Sequence, residues 1–492
     1  MVIFGLAAAW FEPTVVSVRD FGARGNGQTD DRPAIQAAID ALAYKGGGTL
    51  RVPRGTYLLD SYLPSPHPWF FYNLRAGSNI AIVGEEGAKL LQGPHGRAPV
   101  GAVPGATTVM NSVLVFGSKN FVSNTFQDPA ANGGFIPLAA VKEGYHMLTP
   151  LRPADQNRIR PGDHVVVYES DPTDRDVVPS QGLDVVSASN SIGLDRPVLR
   201  AADRPVAAIV TRLATTNDRI EKLTIQGAVP LNVNEVIGFV ARDCSLVFDS
   251  QVGGSNIVGL VMNDIRGCLL EHDRFSATGS PVSLELPQRD SADVEVRNNN
   301  FDVRSMGFGE YGAHWLIKGN TIHLHNADLA TGPGLFFGGR DVLFEKNLVT
   351  GFAGEVPMVA DWIGTDAYAP YVSGIRIVGN RFVCSAKGGN CLNAAGQDTL
   401  VQDNHFAVTG QAGEAVLIEG SLPQTVSVVS NEIDVQGDFG IVVNPPPGSH
   451  PTVHGNRVAG RGLSAIYLTP RQRPGSSTIR DNQVEGFLKR PG

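Results

Sequence analysis

The chain has 492 residues, of which 57 are Gly and 32 are Pro, and charged residues make up only 18%. Its formal net charge of −8 disfavours nucleic acid as a partner, because phosphate neutralisation requires a basic surface. No run of about 18 apolar residues occurs, so the sequence predicts no membrane partner. The length and the turn-rich composition favour a repeat of short strands that grows along one axis.

The first part of the chain predicts a compact unit that closes one end of the repeat. Residues 2–11 are apolar but short, which fits either the remainder of an export signal or a first β-element. A strand over 15–18 and a glycine turn over 21–27 follow, and Thr29, Asp30 or Asp31 then supplies a helix N-cap. The helix presents one apolar stripe, Ile35, Ala38, Ile39 and Leu42. It should therefore lie across the open end of a hydrophobic stack.

This segment carries a specific resemblance. Asp20-Phe21-Gly22-Ala23, Gly27-Gln28-Thr29-Asp30-Asp31 and Gly47-Gly48-Thr49 occur in order between Val18 and Tyr57. The segment resembles the N-terminal cap of the pectate-lyase-like superfamily, which includes polygalacturonase-like hydrolases, polysaccharide lyases, mannuronan C5-epimerases and phage tailspikes. The resemblance implies an all-β, right-handed parallel β-helix with a short capping helix. It also implies a carbohydrate polymer as partner, a secreted or periplasmic location, and a monomer or homotrimer.

The rest of the chain divides by pattern into four regions. The predicted boundaries are 1–60 for the cap, 61–142 for early coils, 143–214 for an inserted β-hairpin subdomain, and 215–492 for the main β-helix. In the last region, eight segments share an Asn at an equivalent position, separated by 21 to 33 residues: Asn299, Asn320, Asn347, Asn380, Asn404, Asn431, Asn456 and Asn482. Asp273 and Asp243 continue this frame backwards. We expect each Asn to adopt a left-handed conformation at a turn and to bond the next coil.

Strand alternation then sorts the side chains before each Asn. The third and fifth positions before Asn are mostly apolar and should face the core, so the second, fourth and sixth should face solvent. Because neighbouring strands lie about 4.8 Å apart, His314 should stand between Asp293 and Asp341, and Lys318 between Arg297 and Glu345. After the Asn, Asp302, Arg304, His323 and His325 should also point outward.

Two uses of this outer face are open, one structural and one catalytic. Asp before a strand is a common turn residue, and Asp398 occupies the same offset without a histidine beside it. As a catalytic face, it suits proton abstraction from a uronate, with His314 or Lys318 as base and Arg297 or Arg340 neutralising the substrate carboxylate.

Tyr311 would be the acid of that reaction. Tyr311 and His314 resemble the Tyr and His pairing of mannuronan epimerases, with a different spacing and without the intervening Asp. Glu345 would contact the substrate. We predict no metal site and no cofactor, with Ca²⁺ as the one ion left open.

A hydrolase and a non-catalytic binding protein are the alternatives to this lyase or epimerase. Hydrolysis needs two carboxylates, from Asp293, Asp341, Glu310 or the long loop over 355–371 that contains Asp361 and Asp366. The Asn-Thr-Asp and Gly-His-Gly signatures of polygalacturonases are absent, and the Asp-Asp pair occurs only in the cap. Trp362 in the same loop would either stack on a sugar or pack on the solenoid. The binding alternative is a tailspike-like carbohydrate-binding protein.

The cysteines leave a last choice open. Cys384 and Cys391 flank a short loop and would either form a disulfide or remain buried thiols, of which the thiols are favoured. Cys244 and Cys268 show no metal-ligand spacing.

Overall fold

The structure is a computed structural model. It describes residues 14–64, 70–99, 110–117, 135–168, 181–188, 191–195, 197–198, 201–211, 215–249, 258–279, 282–288, 291–325, 335–352, 373–384, 389–409, 413–420, 423–469 and 477–487.

The N-terminal cap forms as its sequence indicates. Strand Val15–Ser17 is followed by a 3₁₀ helix, Val18–Phe21, and then by the capping α-helix Arg32–Tyr44. Ile35, Ala38, Ile39 and Leu42 are all buried and belong to the same core as the solenoid strands. The predicted apolar stripe is therefore confirmed, and the helix covers the end of the stack.

Asp30 and Asp31, the acidic pair before this helix, do more than supply the predicted helix N-cap. Asp31 occupies the N-cap position, but its side chain makes no cap hydrogen bond. Its carboxylate instead accepts from the backbone N–H groups of Arg24 and Gly25, at 2.6 and 2.9 Å. Asp30 accepts from the N–H of Arg32, the first helical residue, at 3.2 Å. The pair therefore ties the turn before the helix as well as the helix start.

The body is a right-handed parallel β-helix with three faces, which we call the first, second and third face in chain order within a coil. The first face precedes each ladder Asn, the second follows it, and the third returns to the next coil. A 20-stranded sheet forms the first face and, in coils up to residue 345, also the third. Its strands are Val15–Ser17, Gly48–Val52, Leu63–Pro64, Phe70–Ala76, Ile80–Gly84, Met110–Gly117, Thr215–Thr216, Arg219–Glu221, Val229–Ile237, Val240–Arg242, Val258–Glu271, Ser283–Gln288, Ala292–Arg297, Ser305–Lys318, Leu335–Glu345, Arg376–Val378, Thr399–Gln402, Val426–Val429, Thr452–His454 and Thr478–Arg480.

A 14-stranded parallel sheet forms the second face. Its strands are Asn26–Asp30, Gly55–Leu59, Ala88–Gln92, Thr224–Gly227, Ser245–Phe248, Arg274–Ala277, Asn300–Val303, Thr321–Leu324, Leu348–Phe352, Arg381–Cys384, His405–Thr409, Glu432–Gln436, Arg457–Arg461 and Gln483–Glu485. A separate four-stranded sheet forms the third face near the C-terminus, with strands Gly389–Ala394, Gly413–Ile418, Phe439–Val443 and Ser464–Leu468.

A six-stranded antiparallel sheet interrupts the solenoid. Its strands are Ile136–Pro137, Met147–Leu148, His164–Tyr168, Gln181–Ala188, Ile192–Leu194 and Val206–Thr211, and a short helix, Pro153–Gln156, accompanies them. The sheet has its own buried cluster, to which Ile136, Leu148, Val165 and Ala207 belong. The strands thus begin at 136, ahead of the predicted boundary at 143.

The Asn residues form a buried ladder that links consecutive coils. The Nδ2 of Asn320, for example, donates to the Oδ1 of Asn347 at 2.9 Å and to the backbone carbonyl of Val296 at 2.8 Å. The prediction that Asn itself takes the left-handed conformation is wrong. The preceding residue does so, as in Asn298 at φ 58° and Lys346 at φ 56°. Asp273 occupies a ladder position, but Asp243 is such a preceding residue at φ 56°, so the predicted frame is one residue off there.

Alternation on the first face is as predicted. The third and fifth residues before the ladder Asn are at most 2% exposed in the central coils, including Val294, Trp315 and Phe344.

Two further findings concern membrane spans and cysteines. Within the described residues, no helix is long and apolar enough to cross a membrane. Cys384 and Cys391 form a disulfide, so the favoured prediction of free thiols is wrong for this pair, whereas Cys244 and Cys268 are free and buried.

Candidate functional site

His314 stands between two carboxylates on the outer side of the first face. Its Nδ1 lies 3.3 Å from Asp293 Oδ1, and its Nε2 lies 3.7 Å from Asp341 Oδ2. All three side chains are more than half exposed. The strand register places the three residues on adjacent coils at the same height, which is the arrangement that alternation predicts. Only the Asp293 contact is short enough for a hydrogen bond.

The backbone explains much of this residue choice. Asp293, His314 and Asp341 have φ values of 56°, 58° and 54°, in the left-handed region. The same column of the solenoid, which we call the left-handed column, continues through Asn79, Asn217, Gly238, Gly267, Gly374 and Asp398. Gly, Asn, Asp and His are the residues that tolerate this conformation best. The column therefore has a structural reason for its composition, independent of any catalytic role.

A row of ion pairs runs along the same face, two residues before the ladder. Arg297 contacts Glu271 at 2.8 Å and Glu295 at 3.1 Å, and Lys318 Nζ contacts Glu345 at 2.7 Å. The hydrogen bond from Lys318, partly opposed by burial, holds the pKa of Glu345 below its ordinary value. The Nζ of Lys318 is thus already engaged by a carboxylate, which disfavours Lys318 as a general base.

Arg340 differs from these paired cations. It precedes Asp341 and is in register with Ala313, next to His314. Its Nε is buried and has no hydrogen-bond partner among the described residues. Among the described residues Arg340 has no carboxylate partner, whereas Arg297 and Lys318 each contact a glutamate.

The remaining predicted site residues are not placed by the structure. Tyr311 lies in the strand Ser305–Lys318, but its side chain, like that of Glu310, is outside the description. Asp361, Trp362 and Asp366, with the whole loop over 355–371, lie outside the described residues.

Sequence reasoning missed a second polar cluster, on the second face. Asp302, His323 and His325 were expected to point outward, but no metal site was predicted from them. Their potential ligand atoms all lie within 4.8 Å of one another. The signal was present in the spacing, because Asp302 and His323 both stand three residues after a ladder Asn.

A hollow of about 730 Å³ lies nearer the cap, on the same left-handed column. Lys45, Asn79, Asn217 and Arg219 line it, together with Asp218, which is fully buried. Burial raises the pKa of Asp218 to about 7, although the N–H of Ile80 donates to it. Asn217 is four coils from His314, which corresponds to roughly 19 Å along the stack. The hollow is therefore separate from the His314 site.

Comparison with known proteins agrees with the resemblance seen in the cap. Residues 15–92 match the family model described as rhamnogalacturonase A/epimerase, pectate lyase-like. The mannuronan C5-epimerase AlgE1 of Azotobacter vinelandii is 62% identical over 47 residues, which is 10% of this chain and 3% of that protein. The chain thus spans a small part of the curated relatives it matches, and the family model covers residues 15–92 of it.

Solved structures that resemble nearly the whole chain include an adhesin and a tailspike. The surface protein and adhesin PfbA of Streptococcus pneumoniae is 15% identical with a TM-score of 0.50, covering 96% of this chain and 98% of that one. The tailspike gp61 of Pseudomonas phage phi297 is 13% identical with a TM-score of 0.51, covering 96% and 80%. The expected superfamily resemblance is confirmed, and the fold is the pectate-lyase-like right-handed β-helix.

Proposed function

We propose that this protein acts on a uronate-containing polysaccharide by abstracting the proton next to the sugar carboxylate, with His314 as the general base. The observation that carries the proposal is the geometry of the imidazole. Asp293 contacts Nδ1 at 3.3 Å, whereas Asp341 stays 3.7 Å from Nε2. A carboxylate on Nδ1 favours the tautomer with a lone pair on Nε2, which is the form that accepts a proton.

Charge neutralisation is the second requirement of this chemistry. Removing the C5 proton of a uronate places negative charge on its carboxylate, so a cation or hydrogen-bond donor must meet that group. Arg340 fits this role best, because Arg297 and Lys318 are already paired with glutamates. Tyr311 is the proposed acid.

The acid step then decides the product. If a proton goes to the glycosidic oxygen while the C4–O bond breaks, the product is an unsaturated uronate. If a proton returns to C5 from the opposite side, the product is the epimer. The match over 47 residues to a mannuronan C5-epimerase, whose name states this reaction, is consistent with the same chemistry.

A glycoside hydrolase on this face is a weaker proposal. Inverting enzymes hold their carboxyl groups about 6.5–9.5 Å apart with the sugar between them. Here Asp293 and Asp341 lie on either side of His314, so the imidazole occupies the gap that a glycosidic bond would need.

The direct test is product analysis with purified protein on a panel of neutral and uronate polysaccharides. Ultraviolet absorbance reports elimination, reducing ends report any chain cleavage, and proton nuclear magnetic resonance reports a change of configuration at C5. The variant His314→Asn keeps a residue that tolerates the left-handed conformation, so the fold should be retained. We expect it to lose activity at least 100-fold, the lower end of a general base contribution.

A matched control exists on the same solenoid. His272 also has a left-handed backbone, at φ 59°, and its Nδ1 lies 3.6 Å from Asp243. His272→Asn should leave activity unchanged. Equal activity in His314→Asn and His272→Asn would reject His314 as the base.

A second candidate function is carbohydrate binding without turnover. The left-handed column favours it, because the backbone alone accounts for Asp293, His314 and Asp341. Likeness to a surface adhesin and a phage tailspike is consistent with it. Polysaccharide binding with no change in absorbance, reducing ends or C5 configuration would favour this alternative. Sedimentation, measured alongside, distinguishes monomer from trimer.

We also propose a secreted or periplasmic location. The Cys384–Cys391 disulfide supports it, because disulfides persist mainly in oxidising compartments. Fractionation of the native host, with detection of the chain outside the cytoplasm, tests this directly.

A further inference from the structure

The second face carries a cluster of two histidines and one aspartate, a combination of potential metal ligands that the polar side chains described on the first face do not provide. Asp302 lies in the strand Asn300–Val303, and His323 lies opposite it in Thr321–Leu324. His325 follows two residues later, so both imidazoles emerge on the outer side while Ile322 and Leu324 are fully buried. We call these three residues the Asp302 cluster.

The members of the Asp302 cluster already converge. One nitrogen or oxygen from each lies within 4.8 Å of the others. His325 Nε2 hydrogen-bonds Asp302 Oδ1, and the two imidazole rings meet edge to face with centroids 4.3 Å apart. His323 is half-buried, and both Asp302 and His325 keep a substantial exposed fraction, so an ion can reach the cluster from solvent.

His323 is held in place by the next coil. Thr350 Oγ1 lies 2.9 Å from His323 Nδ1, and Nε2 has no hydrogen-bond partner among the residues that the structure describes. Gly351 packs directly on the ring: a Cβ there would lie 2.8 Å from Cε1 and 2.9 Å from Nδ1. Gly351 has φ 92° at an irregularity of the strand register. Backbone and hydroxyl therefore fix the ring, as outer-shell partners of metal-binding histidines do.

We infer that Asp302, His323 and His325 bind one divalent first-row transition ion, with Zn²⁺ as the best match. Two imidazoles and one carboxylate are a Zn²⁺ donor set that leaves at least one position for water. Ca²⁺ prefers an all-oxygen shell, which this cluster lacks. Metal bonds of about 2.0–2.2 Å place tetrahedral ligand atoms roughly 3.4 Å apart, so the widest pair of the cluster must close while His325 and Asp302 separate. The ion would replace the hydrogen bond between His325 and Asp302.

One neighbouring charge limits the affinity. Arg304 follows Val303, the last residue paired with the histidine strand, and the positive charge of its side chain opposes a cation bound nearby. The single negative charge of Asp302 favours cation binding. We therefore expect a dissociation constant in the micromolar range, weaker than that of closed structural zinc sites.

A bound ion would join two coils, because Asp302 belongs to the coil of Asn299 and both histidines belong to the coil of Asn320. An ion that binds the folded protein and not the unfolded chain raises the stability of the folded protein, and the effect increases with ion concentration. The expected readout is thus both stoichiometric binding and a rise in melting temperature.

The test is calorimetric titration of the chelator-treated full chain with Zn²⁺, repeated with Co²⁺, whose visible spectrum reports nitrogen and oxygen coordination. We expect one equivalent to bind, and His323→Gln and His325→Gln each to weaken binding at least 10-fold. Thr350→Val should weaken it several-fold through the orientation of His323. Circular dichroism verifies that each variant is folded.

His405 supplies the matched control. It lies on the same sheet, and its Nε2 contacts Asp434 at 3.2 Å. His405→Gln should bind Zn²⁺ as the parent does. Failure of the parent to bind one equivalent, or equal affinity in His323→Gln and His405→Gln, would overturn the inference.

Discussion

Replacing Asp273 with Asn should stabilise the protein and flatten its response to pH. Asp273 occupies a position of the Asn ladder and is 1% exposed. Its Oδ1 accepts from the N–H of Cys244 at 2.7 Å, as a ladder Asn would. Its Oδ2, at the place of an amide nitrogen, has no hydrogen-bond partner among the described residues. Asn at this position would supply the donor that the other rungs use.

The magnitude follows from the pKa of this carboxyl. Burial raises the pKa of Asp273 to about 7, although the hydrogen bond from Cys244 acts against the shift. The ordinary value is about 3.9, so the folded protein binds more protons than the unfolded chain between about pH 4 and pH 7. Stability therefore falls as pH rises through this window, by up to about 4 kcal/mol, and is level above it. Asp273→Asn removes this loss and adds hydrogen bonds, so we expect a gain of about 2–4 kcal/mol at pH 8.

The assay must resolve local stability, because a stack of repeats does not have to unfold in one step. Hydrogen exchange of the coils over 244–300 at pH 5 and pH 8, together with melting temperatures, meets this need. The reverse change, Asn320→Asp, serves as control and should lower stability more at pH 8 than at pH 5. Asp273→Asn with no added protection at pH 8 would refute the reasoning.

Three further predictions concern the scaffold. Replacing Cys384 and Cys391 with Ala should destabilise the protein by about 2–3 kcal/mol through loss of loop closure, and non-reducing peptide mapping should show the linked pair in the parent. Gly460→Ala should cost about 1–3 kcal/mol or more in a melting experiment, because φ is 143° and a Cβ would meet the carbonyl of Val435. Trp315→Phe should cost about 1–3 kcal/mol by thermal melting, because its Nε1–H donates to a buried backbone carbonyl at 3.1 Å.

The first face could be predicted from sequence because a strand has a fixed period of two. Once the Asn repeat set the register, counting back placed Val294 and Trp315 inside and put His314 between Asp293 and Asp341. Residues that stand the same number of positions before the ladder Asn pair on neighbouring parallel strands, so their contacts could be predicted without further information.

The turn could not be predicted to the residue. Asn and Asp occur both at the ladder position and at the position before it. Because Asn and Asp favour turns, the sequence does not show which of the two positions has the left-handed backbone. The structure separates them: Asn298 has the left-handed backbone, whereas Asn299 supplies the buried amide. Free thiols were likewise favoured for Cys384 and Cys391, because spacing alone does not show that the two strands bring these residues together.

The Asp302 cluster could not be predicted from sequence, because its geometry depends on the relative positions of three consecutive coils. Its orientation depends on Thr350 and on the space left by Gly351, and the loops between successive repeats vary in length. Sequence alternation gave the outward direction of His323 and His325 but not their convergence on Asp302.

The most direct test of the proposed chemistry is solvent deuterium exchange at C5 of a uronate polymer. The protein and polymannuronate or polygalacturonate are incubated in D₂O, and nuclear magnetic resonance follows loss of the C5 proton signal. This readout detects proton abstraction whether elimination or epimerisation follows. We predict exchange with the parent and with His272→Asn, and none with His314→Asn. No exchange with the parent on either polymer, or undiminished exchange with His314→Asn, would contradict the account.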